Sequence, residues 1–355
     1  MEEVRLKKLL VIRLDKIGDM VVTTPIFRAI KEAWPQIHIS VLVNPVNRNI
    51  IIHNPFIDDI LLYDTSGSQR NLFNKLLFFQ HLRKMRFDIV IDPYLDYELK
   101  TAIITRFIGR RYRLGFTFAG KGLFYNIREP LPTLPPPPDK KQMSDSILDL
   151  LGCLGITRKD GSKKHEIPQI FLTAGEKKKA KELLQRRGIN LANVIVGIHP
   201  GAHYESQRWP VERFVKVSEY LMTTKKIDVI LFGGRDDNSL ISDFKKRALQ
   251  TPTILSDLTL RDFMAALSYC TLLLCNNSGP LHIATALQIP TVSTMGPTEP
   301  SRWWPQGDTH LVLRKDLDCS PCRRGYCENH DCMKLITTDD FLSAVQKQLR
   351  YLSHS

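Results

Sequence analysis

The stretch LLVIRLDKIGDMVVTTPIFRAIKEAWP (residues 9–35) decides the fold of this chain. It opens with an apolar run at 9–14 that contains Val and Ile and predicts a buried strand. The turn 15–19 follows, and a helical pattern continues to Ala33 until Pro35 ends it. A strand, a tight turn and a helix in this order are the first half of a βαβ unit, which favours a parallel sheet.

The same alternation continues along the chain. In the first half, Ile37–Val43 and Ile89–Ile91 are predicted strands, and Leu72–Lys84 is a predicted helix between them. The second half holds predicted strands at Val194–Ile198, Asp228–Phe232, Leu272–Cys275 and Thr291–Thr294, and predicted helices at Pro210–Met222, Asp237–Ala248, Leu260–Tyr269 and Pro280–Leu287. The predicted fold class is therefore α/β, with two doubly wound, Rossmann-like domains facing a central cleft.

Length and composition agree with two globular domains. At about 150 residues per domain, 355 residues suggest two. With 43% hydrophobic and 25% charged residues, wholesale disorder is excluded. The Pro-rich stretch PTLPPPP (132–138) is a predicted loop near the domain boundary.

The charge of the chain predicts an acidic partner. The formal net charge is +13, and residues 1–165 carry 26 basic against 17 acidic side chains. The segment 99–128 holds seven Lys and Arg residues and no Asp or Glu. We interpret this segment as an anion-binding surface, and the alternative is a plain basic surface.

Apolar runs are too short for membrane insertion. None approaches the ~18 residues of a membrane span, and the run at 9–12 is too short for the core of a signal peptide. A cytoplasmic protein is therefore expected. The predicted helix Leu72–Lys84 mixes Phe and Leu with Lys and Arg. We interpret it as a buried helix, and the alternative is contact with lipid.

Asp19 is the first candidate for catalysis. It stands beside Gly18 at the predicted start of the first helix. A carboxylate there fits two roles, an N-cap or a general base, and each role suits Asp. The two roles are compatible with each other.

The turn NNSGPLH (276–282) is a candidate phosphate site, because it links a predicted strand to a predicted helix. Asn277 or Ser278 can cap this helix, and Gly279 keeps the backbone accessible. Free amides and the helix dipole attract an anion, and His282 could add a donor. The alternative is a well-capped helix with His282 satisfied locally.

Two further turns after predicted strands carry polar residues. The turn that contains His199 and Gly201 leads to Arg208, whose guanidinium could bind a phosphate through bidentate hydrogen bonds. Asp236 follows another strand and could accept hydrogen bonds from ribose hydroxyls, or simply cap the next helix. The motif G-x-G-x-x-G after a strand, the motif G-x-x-x-x-G-K-[ST] and an Asp-x-Asp pair do not occur, which disfavours dinucleotide, Walker-type and metal-chelating nucleotide sites.

These turns, together and in this order, resemble the ADP-heptose:lipopolysaccharide heptosyltransferases of glycosyltransferase family 9. The matching stretches are residues 9–35, VGIHPGAHYESQRWPVERF (196–214) and LLLCNNSGPLHIATALQIPTVSTMGPTEP (272–300). RRYRLGF (110–116) is similar to the basic segment of the family. The resemblance implies a GT-B fold with an N-terminal acceptor domain (1–165), a C-terminal nucleotide-sugar domain (166–332) and a C-terminal helix (333–355) that packs back on the first domain.

The implied reaction is inverting, metal-independent transfer of a heptose from ADP-heptose to a lipopolysaccharide inner-core (Kdo/heptose) acceptor, without a catalytic cofactor. Asp19 matches the proposed base of the family. The implied donor site consists of His199, Gly201, Gln207, Arg208, Asp236, Asn277, Ser278, Gly279 and His282. Gly18, Arg110, Arg111 and Arg113 are the acceptor candidates. Because the acceptor is anionic and membrane-bound, the protein is expected at the inner membrane surface as a peripheral protein.

Two positions depart from the pattern of the family. Gln207 stands where many members have Lys, and Asn277 stands where many have Asp. One change removes a cation and the other an anion, so donor binding is expected to survive while the preference for sugar or nucleotide is open. A family member that moves another sugar, or that modifies another glycan or a protein, is the alternative.

Four cysteines form a tight group. Cys319, Cys322, Cys327 and Cys332 lie within 14 residues, with a spacing that resembles a zinc knuckle. Four thiolates suit a structural Zn²⁺ or Fe site, and free thiols or two disulfides are the alternatives. Zinc knuckles bind RNA, but the rest of the chain does not favour nucleic acid as a partner, and an RNA-associated protein is a remote alternative.

Overall fold

The computed structural model describes residues 6–94, 99–117, 121–130, 142–156 and 167–353. The chain divides into two compact units, 1–171 and 172–355. The Pro-rich stretch 132–138 lies outside the described residues.

The first unit is built on a six-stranded parallel sheet. Its strands are β1 (Lys8–Arg13), β2 (His38–Val43), β3 (Asp59–Leu62), β4 (Ile89–Asp92), β5 (Tyr112–Thr117) and β6 (Ile127–Pro130), and its helices are α1 (Ile17–Thr23), α2 (Pro25–Ala33), α3 (Pro45–Ile51), α4 (Leu72–Lys84), α5 (Lys100–Ile108) and α6 (Met143–Leu150). The strand order is β3-β2-β1-β4-β5-β6. Buried apolar residues of β1, β2 and β4, among them Leu10, Leu42 and Val90, form its core.

The second unit repeats this plan. Its strands are β7 (Ile195–His199), β8 (Asp228–Phe232), β9 (Thr253–Leu255), β10 (Leu272–Asn276), β11 (Thr291–Thr294) and β12 (His310–Leu313). Its helices are α7 (Ala174–Arg186), α8 (Val211–Thr224), α9 (Asn238–Arg247), α10 (Leu260–Leu267), α11 (Gly279–Ala286), α12 (Pro300–Trp303), α13 (Asp331–Lys334) and α14 (Thr338–Ser353). The strand order β12-β11-β10-β7-β8-β9 is equivalent to that of the first sheet, and every pairing is parallel.

The expected α/β class with two doubly wound sheets is confirmed, because each sheet runs outward from its first strand in both directions. Two local expectations are wrong. The first long helix is split into α1 and α2 at Thr24, where Pro25 interrupts the backbone hydrogen bonds. Helix α4 is not a buried helix, since Leu82 is the one buried residue among its described side chains.

The last helix packs within the second unit, on α8 and β12. The ring of Phe341 from α14 stacks on Trp209 with 4.5 Å between the ring centroids, and the Trp209 indole N–H donates to Ile336 O at 2.9 Å. Trp209 is 1% exposed and anchors the start of α8 in the core. Within the described residues, no helix is both long enough and apolar enough to pass through a bilayer.

Candidate active site

Each sheet offers a ligand site where its strand order reverses. In the first sheet this point lies between β1 and β4, and in the second it lies between β7 and β10. At such a point the loops that follow two adjacent strands run to opposite faces of the sheet. Ligands of doubly wound sheets bind in the crevice between these loops. Asp19 follows β1, while the turns at 199–208 and 276–282 follow β7 and β10. The candidate residues of the sequence therefore fall at both reversal points.

In the first unit, Asp19 is held by Arg13, the last residue of β1. Arg13 is 1% exposed, and its Nη2 donates to Asp19 Oδ1 at 3.2 Å. Its Nε donates to Asp19 O and its Nη1 to Pro93 O. The N-cap of α1 is Lys16, so the expectation that Asp19 caps the helix is wrong. Asp19 instead lies in the first turn of α1, next to Gly18, where the helix dipole favours a carboxylate.

A second carboxyl shares the same guanidinium. Asp15 Oδ1 lies 3.2 Å from Arg13 Nε, and neither carboxylate oxygen of Asp15 has a hydrogen-bond partner within the described residues. Burial raises the pKa of Asp15 to about 7, and the charges of Asp19 and Asp92 add to this rise. Burial also raises the pKa of Asp19, although Arg13 and Lys16 oppose the shift. Two carboxyls with raised pKa values thus lie beside one buried cation.

Two asparagines that sequence reasoning missed hold the loop after β1. Asn44 Nδ2 donates to Leu14 O and to Asp15 O, both at 3.0 Å, and Asn47 Nδ2 donates to Asp15 O at 3.0 Å. Asn44 is also the N-cap of α3 and accepts from Asn47 N. These bonds fix the backbone between Arg13 and Asp19. The contacts join segments about 30 residues apart, so no local sequence pattern predicts them.

The structure does not bring the acceptor candidates Arg110, Arg111 and Arg113 together with Asp19. Arg113 pairs with Val90 near the amino end of the sheet, whereas Asp19 follows the carboxyl ends of the strands. The Arg113 side chain donates to Phe124 O at 2.9 Å and to Gly109 O at 3.3 Å. Arg110 is exposed, and Arg111 lies over the ring of Tyr112.

In the second unit, Asn276 joins three loops at the reversal point. Its side chain is fully buried, and its Nδ2 donates to Pro200 O at 2.7 Å. Its Oδ1 accepts from Trp209 N at 2.9 Å and from Thr294 Oγ1 at 2.8 Å. The loops after β7, β10 and β11 are therefore fixed to one another by one amide side chain.

Ser278 is the N-cap of α11, but its side chain makes no capping bond to the first turn. Its Oγ instead donates to Gly201 O and Asn276 O, each at 3.4 Å. The first turn of α11, which begins at Gly279, thus presents its N–H groups without a side-chain cap. Asn277 is buried, and its Nδ2 donates to Trp303 O at 3.3 Å. Asn277 fixes the turn, and Ser278 brings it against the loop after β7.

Arg208 lies on that loop with most of its guanidinium unpaired. Its Nε donates to Ala202 O at 3.0 Å, and the described residues place no carboxylate within ion-pair distance of it. Ala202 follows Gly201, which Ser278 touches, so the guanidinium stands close to the start of α11. Gln207 is engaged differently, because its Nε2 donates to Thr298 Oγ1 at 2.9 Å.

The carboxylate that faces this loop belongs to Asp237, whereas Asp236, the candidate acceptor for ribose hydroxyls, is exposed. Asp237 Oδ2 lies 3.6 Å from His199 Nε2 and accepts from Gly234 N at 2.8 Å. A Cβ at Gly201 would lie 2.2 Å from Asp237 Oδ1, so a larger residue at this position would displace the Asp237 carboxylate. Burial lowers the pKa of His199, although Asp237 opposes the shift.

His282 projects from the first turn of α11 but is a neutral group. It is 7% exposed, and its ring meets the ring of Trp303 edge-on with 5.5 Å between centroids. Burial lowers the pKa of His282 to about 4. Near pH 7 this imidazole is therefore neutral and carries one N–H donor and no positive charge.

Comparison with known proteins decides the family. A family model described as glycosyltransferase family 9 (heptosyltransferase) matches residues 76–333. The chain belongs to glycosyltransferase family 9. Among curated relatives of this family, lipooligosaccharide heptosyltransferase 2 of Campylobacter jejuni is 28% identical over 162 residues, which cover 43% of this chain. The match spans about half, 51%, of the length of that relative.

Solved structures of glycosyltransferase family 9 share the fold. The family 9 glycosyl transferase from Veillonella parvula aligns with a TM-score of 0.84 at 23% identity and covers 99% of each chain. The E. coli ADP-heptose LPS heptosyltransferase II aligns with a TM-score of 0.78 at 22% identity, over 97% of this chain and 99% of that one. The fold is therefore α/β and GT-B-like, with two parallel six-stranded Rossmann-like sheets.

The segment that carries the cysteine group of this family 9 chain packs against the loops after β7 and β11. Ser206 Oγ donates to Arg324 O at 2.6 Å, and Arg323 Nη2 pairs with Glu299 Oε2 at 2.8 Å. Burial, together with the charges of the other three thiols, raises the pKa of Cys332 to about 11. Four thiols suit zinc or iron chemically. However, within the described residues no group of three or more His, Cys, Asp and Glu side chains is arranged to hold a metal ion.

The remaining cysteines separate into two kinds. Cys270 and Cys275 are buried in the second unit as small core residues. Cys153 is half-buried, and its Sγ donates to Glu129 Oε2 at 3.1 Å.

Proposed function

We propose that this chain is an inverting glycosyltransferase that moves a heptose from ADP-heptose to a hydroxyl of an anionic lipopolysaccharide inner-core acceptor. Family membership supports heptose transfer as the reaction class. The E. coli protein with the same fold is an ADP-heptose LPS heptosyltransferase, which supports this donor and acceptor class for the present chain. The excess of basic residues in the first half supports an anionic acceptor.

The single observation that carries the proposal is the loop cluster around Asn276. It places the unpaired guanidinium of Arg208 near the uncapped start of α11. A guanidinium and helix N–H groups form a site for a diphosphate. As the bond between the sugar and the diphosphate breaks, negative charge grows on ADP. The guanidinium and the N–H groups therefore stabilise the transition state more than the intact donor. In this proposal a metal ion is not required for departure of ADP.

Asp19 is the base of the proposed reaction. It takes the proton of the acceptor hydroxyl, the hydroxyl oxygen forms a bond to the anomeric carbon, and the bond from that carbon to the ADP oxygen breaks. One displacement of this kind inverts the anomeric configuration. Burial raises the pKa of Asp19 above that of an ordinary Asp, which brings it closer to the working pH and makes it a stronger base.

A transfer assay with ADP-heptose and a Kdo-containing lipid A acceptor tests the proposal. We expect turnover that EDTA leaves unchanged, and a loss of about 10²–10⁴-fold in kcat for Asp19→Asn. Asp64→Asn, a surface carboxylate of the same unit, is the matched control and should retain the rate of the unaltered chain. Full turnover by Asp19→Asn would remove Asp19 from the base role.

The donor itself is tested by thermal protection, since Gln207 and Asn277 leave sugar preference open. A ligand at 100 times its Kd stabilises the folded chain by about 2.7 kcal/mol, so the tighter donor gives the larger rise in Tm. We expect ADP-heptose to raise Tm more than UDP-sugars at equal concentration. A larger rise with another nucleotide sugar would favour the alternative, a family member that transfers that sugar.

A further inference from the structure

Helices α4 and α5 expose large apolar side chains to solvent. Seven of the eighteen large hydrophobic residues that are exposed in the described parts of the chain lie on these helices or directly before α5, and they are 38–71% exposed. They are Leu72, Phe73, Leu76, Leu77, Leu99, Ile103 and Phe107. We call these seven residues the α4–α5 surface. Such clustering differs from the scattered single residues of an ordinary protein surface.

The seven residues belong to one continuous face. On α4, Phe73, Leu76 and Leu77 have the spacing of one helix side, and on α5 Ile103 and Phe107 are one turn apart. Both helices pack their opposite sides on the same core cluster, through residues that include Phe78, Phe79, Leu82, Ile104 and Ile108. The two helices therefore cover the same face of the sheet, and their outer sides both point away from it.

Arg83 connects the two helices directly. Its guanidinium, on α4, lies 5.3 Å from the centroid of the Phe107 ring and donates to Phe107 O. The basic end of α4 thus borders the apolar end of α5. This contact makes the exposed residues of the two helices parts of one surface.

The charge of the two segments that carry the α4–α5 surface has a single sign. Segments 72–84 and 99–113 contain eight Lys and Arg residues and no Asp or Glu. These are Lys75, Arg83, Lys84, Lys100, Arg106, Arg110, Arg111 and Arg113. Within the described part of the chain, Lys75, Lys84, Arg106 and Arg110 form no ion pair. An apolar face bordered by unneutralised cations is complementary to an anionic lipid bilayer.

We propose that the α4–α5 surface docks the chain on an anionic lipid bilayer. Phe73, Leu76, Leu77 and their neighbours enter the boundary between headgroups and acyl chains, and the flanking Lys and Arg contact lipid phosphates. A second copy of the chain does not fit this face, because two all-positive surfaces repel each other. Neutral lipid lacks the charge that the cations require. This docking is independent of the transfer reaction proposed above.

Sedimentation with lipid vesicles tests the proposal on the full chain. We expect binding to vesicles of phosphatidylcholine mixed with phosphatidylglycerol, weak binding to phosphatidylcholine alone, and release at high salt. Phe73→Glu combined with Leu76→Glu should lower partitioning by at least about tenfold, because each charge near an anionic surface changes binding about fivefold. Lys84→Glu combined with Arg106→Glu should have a comparable effect.

Helix α9 supplies the matched control. Leu249, just beyond its end, is 95% exposed, and Lys245, Lys246 and Arg247 form its last turn. Lys245→Glu combined with Leu249→Glu makes the same kind of change in the second unit and should leave vesicle binding unchanged. All substituted side chains are exposed, and an unchanged Tm verifies folding of each variant.

Three results would overturn the proposal. The first is failure of the full chain to bind the anionic vesicles. The second is equal loss of binding by the α9 control and by the α4 variant. The third is release of the chain by inorganic phosphate at constant ionic strength, which would indicate a phosphate pocket in place of a lipid-docking surface.

Discussion

The guanidinium Nη2 of Arg13 lies 3.2 Å from Oδ1 of Asp19, and this contact opposes the rise in the Asp19 pKa that burial causes. Burial disfavours the charged carboxylate and raises the pKa of Asp19, while Arg13 favours the charged form. The same guanidinium also serves Asp15. Because the two carboxylates share one cation, the ionisation of each makes the ionisation of the other less favourable.

The acid limb of the rate profile should therefore depend on Asp15. Transfer requires deprotonated Asp19, so the rate falls as pH decreases through the raised pKa of this group. Asp15→Asn removes a like charge and leaves Arg13 to Asp19, which lowers the pKa of Asp19. We expect the acid limb of kcat/KM to move to lower pH. A series of kcat/KM measurements across pH gives the answer.

Asp59→Asn is the control for this experiment. Asp59 is a half-exposed carboxylate at the amino end of β3, paired with His38 at 2.7 Å. Its removal should leave the profile unchanged. If the Asp15→Asn profile superimposes on that of the unaltered chain, the charge of Asp15 does not influence the base.

Asn276 should be a large contributor to the stability of the second unit. Asn276→Ala leaves Trp209 N–H, Thr294 Oγ1 and Pro200 O without their partner in a buried environment. We expect the free energy of unfolding to fall by about 2–5 kcal/mol, since each unsatisfied buried group costs about 1–3 kcal/mol. Urea denaturation measures the change.

Asn193→Ala is the matched substitution on the surface, where Asn193 Nδ2 donates to Asp228 Oδ2 at 3.1 Å. It should change the free energy of unfolding by less than about 0.5 kcal/mol. Equal effects of the two substitutions would mean that the loop cluster relaxes without Asn276.

The sequence predicted those strands that are continuously buried and missed most of those near the sheet edges. Strands β8 and β11 were predicted with their observed bounds, and both are almost entirely buried. Strand β3 was missed, because its residues are exposed or half-buried and carry no distinct pattern. In β5 the apolar pattern is broken by Arg113 and Gly115. Edge strands bury less surface, so fewer of their residues need to be apolar.

The candidate site was predictable in position but not in detail. Turns after buried strands locate the reversal points, which is how Asp19, Arg208 and Ser278 were found. Asp236 and Asp237 are neighbours in sequence, so a local pattern does not tell them apart. They differ in the structure because Gly201, on another loop, lies close to the carboxylate of Asp237. The three partners of Asn276 lie 18, 67 and 76 residues away, so no local motif contains them.

The cysteine group remains a predicted structural metal site. Cys319, Cys322, Cys327 and Cys332 lie within 14 residues of sequence, and His330 N donates to Cys327 Sγ at 3.3 Å. We expect purified protein to contain zinc or iron, and Cys322→Ser to lose it, as measured by elemental analysis. Cys153→Ser, outside the group, should retain the metal. Unchanged metal content in Cys322→Ser would eliminate the site.

His282 should make the chain less stable in acid. The pKa of His282 is lowered from 6.5 to about 4 in the folded chain, so between these values the unfolded chain binds a proton that the folded chain does not. Stability is therefore retained above pH 6.5 and lost as pH falls toward 4, by up to about 3 kcal/mol for this one group. His282→Gln cannot take up this proton. Its free energy of unfolding should decline less between pH 7 and pH 4 than that of the unaltered chain, and parallel declines in denaturant titrations would show that another group controls the acid sensitivity.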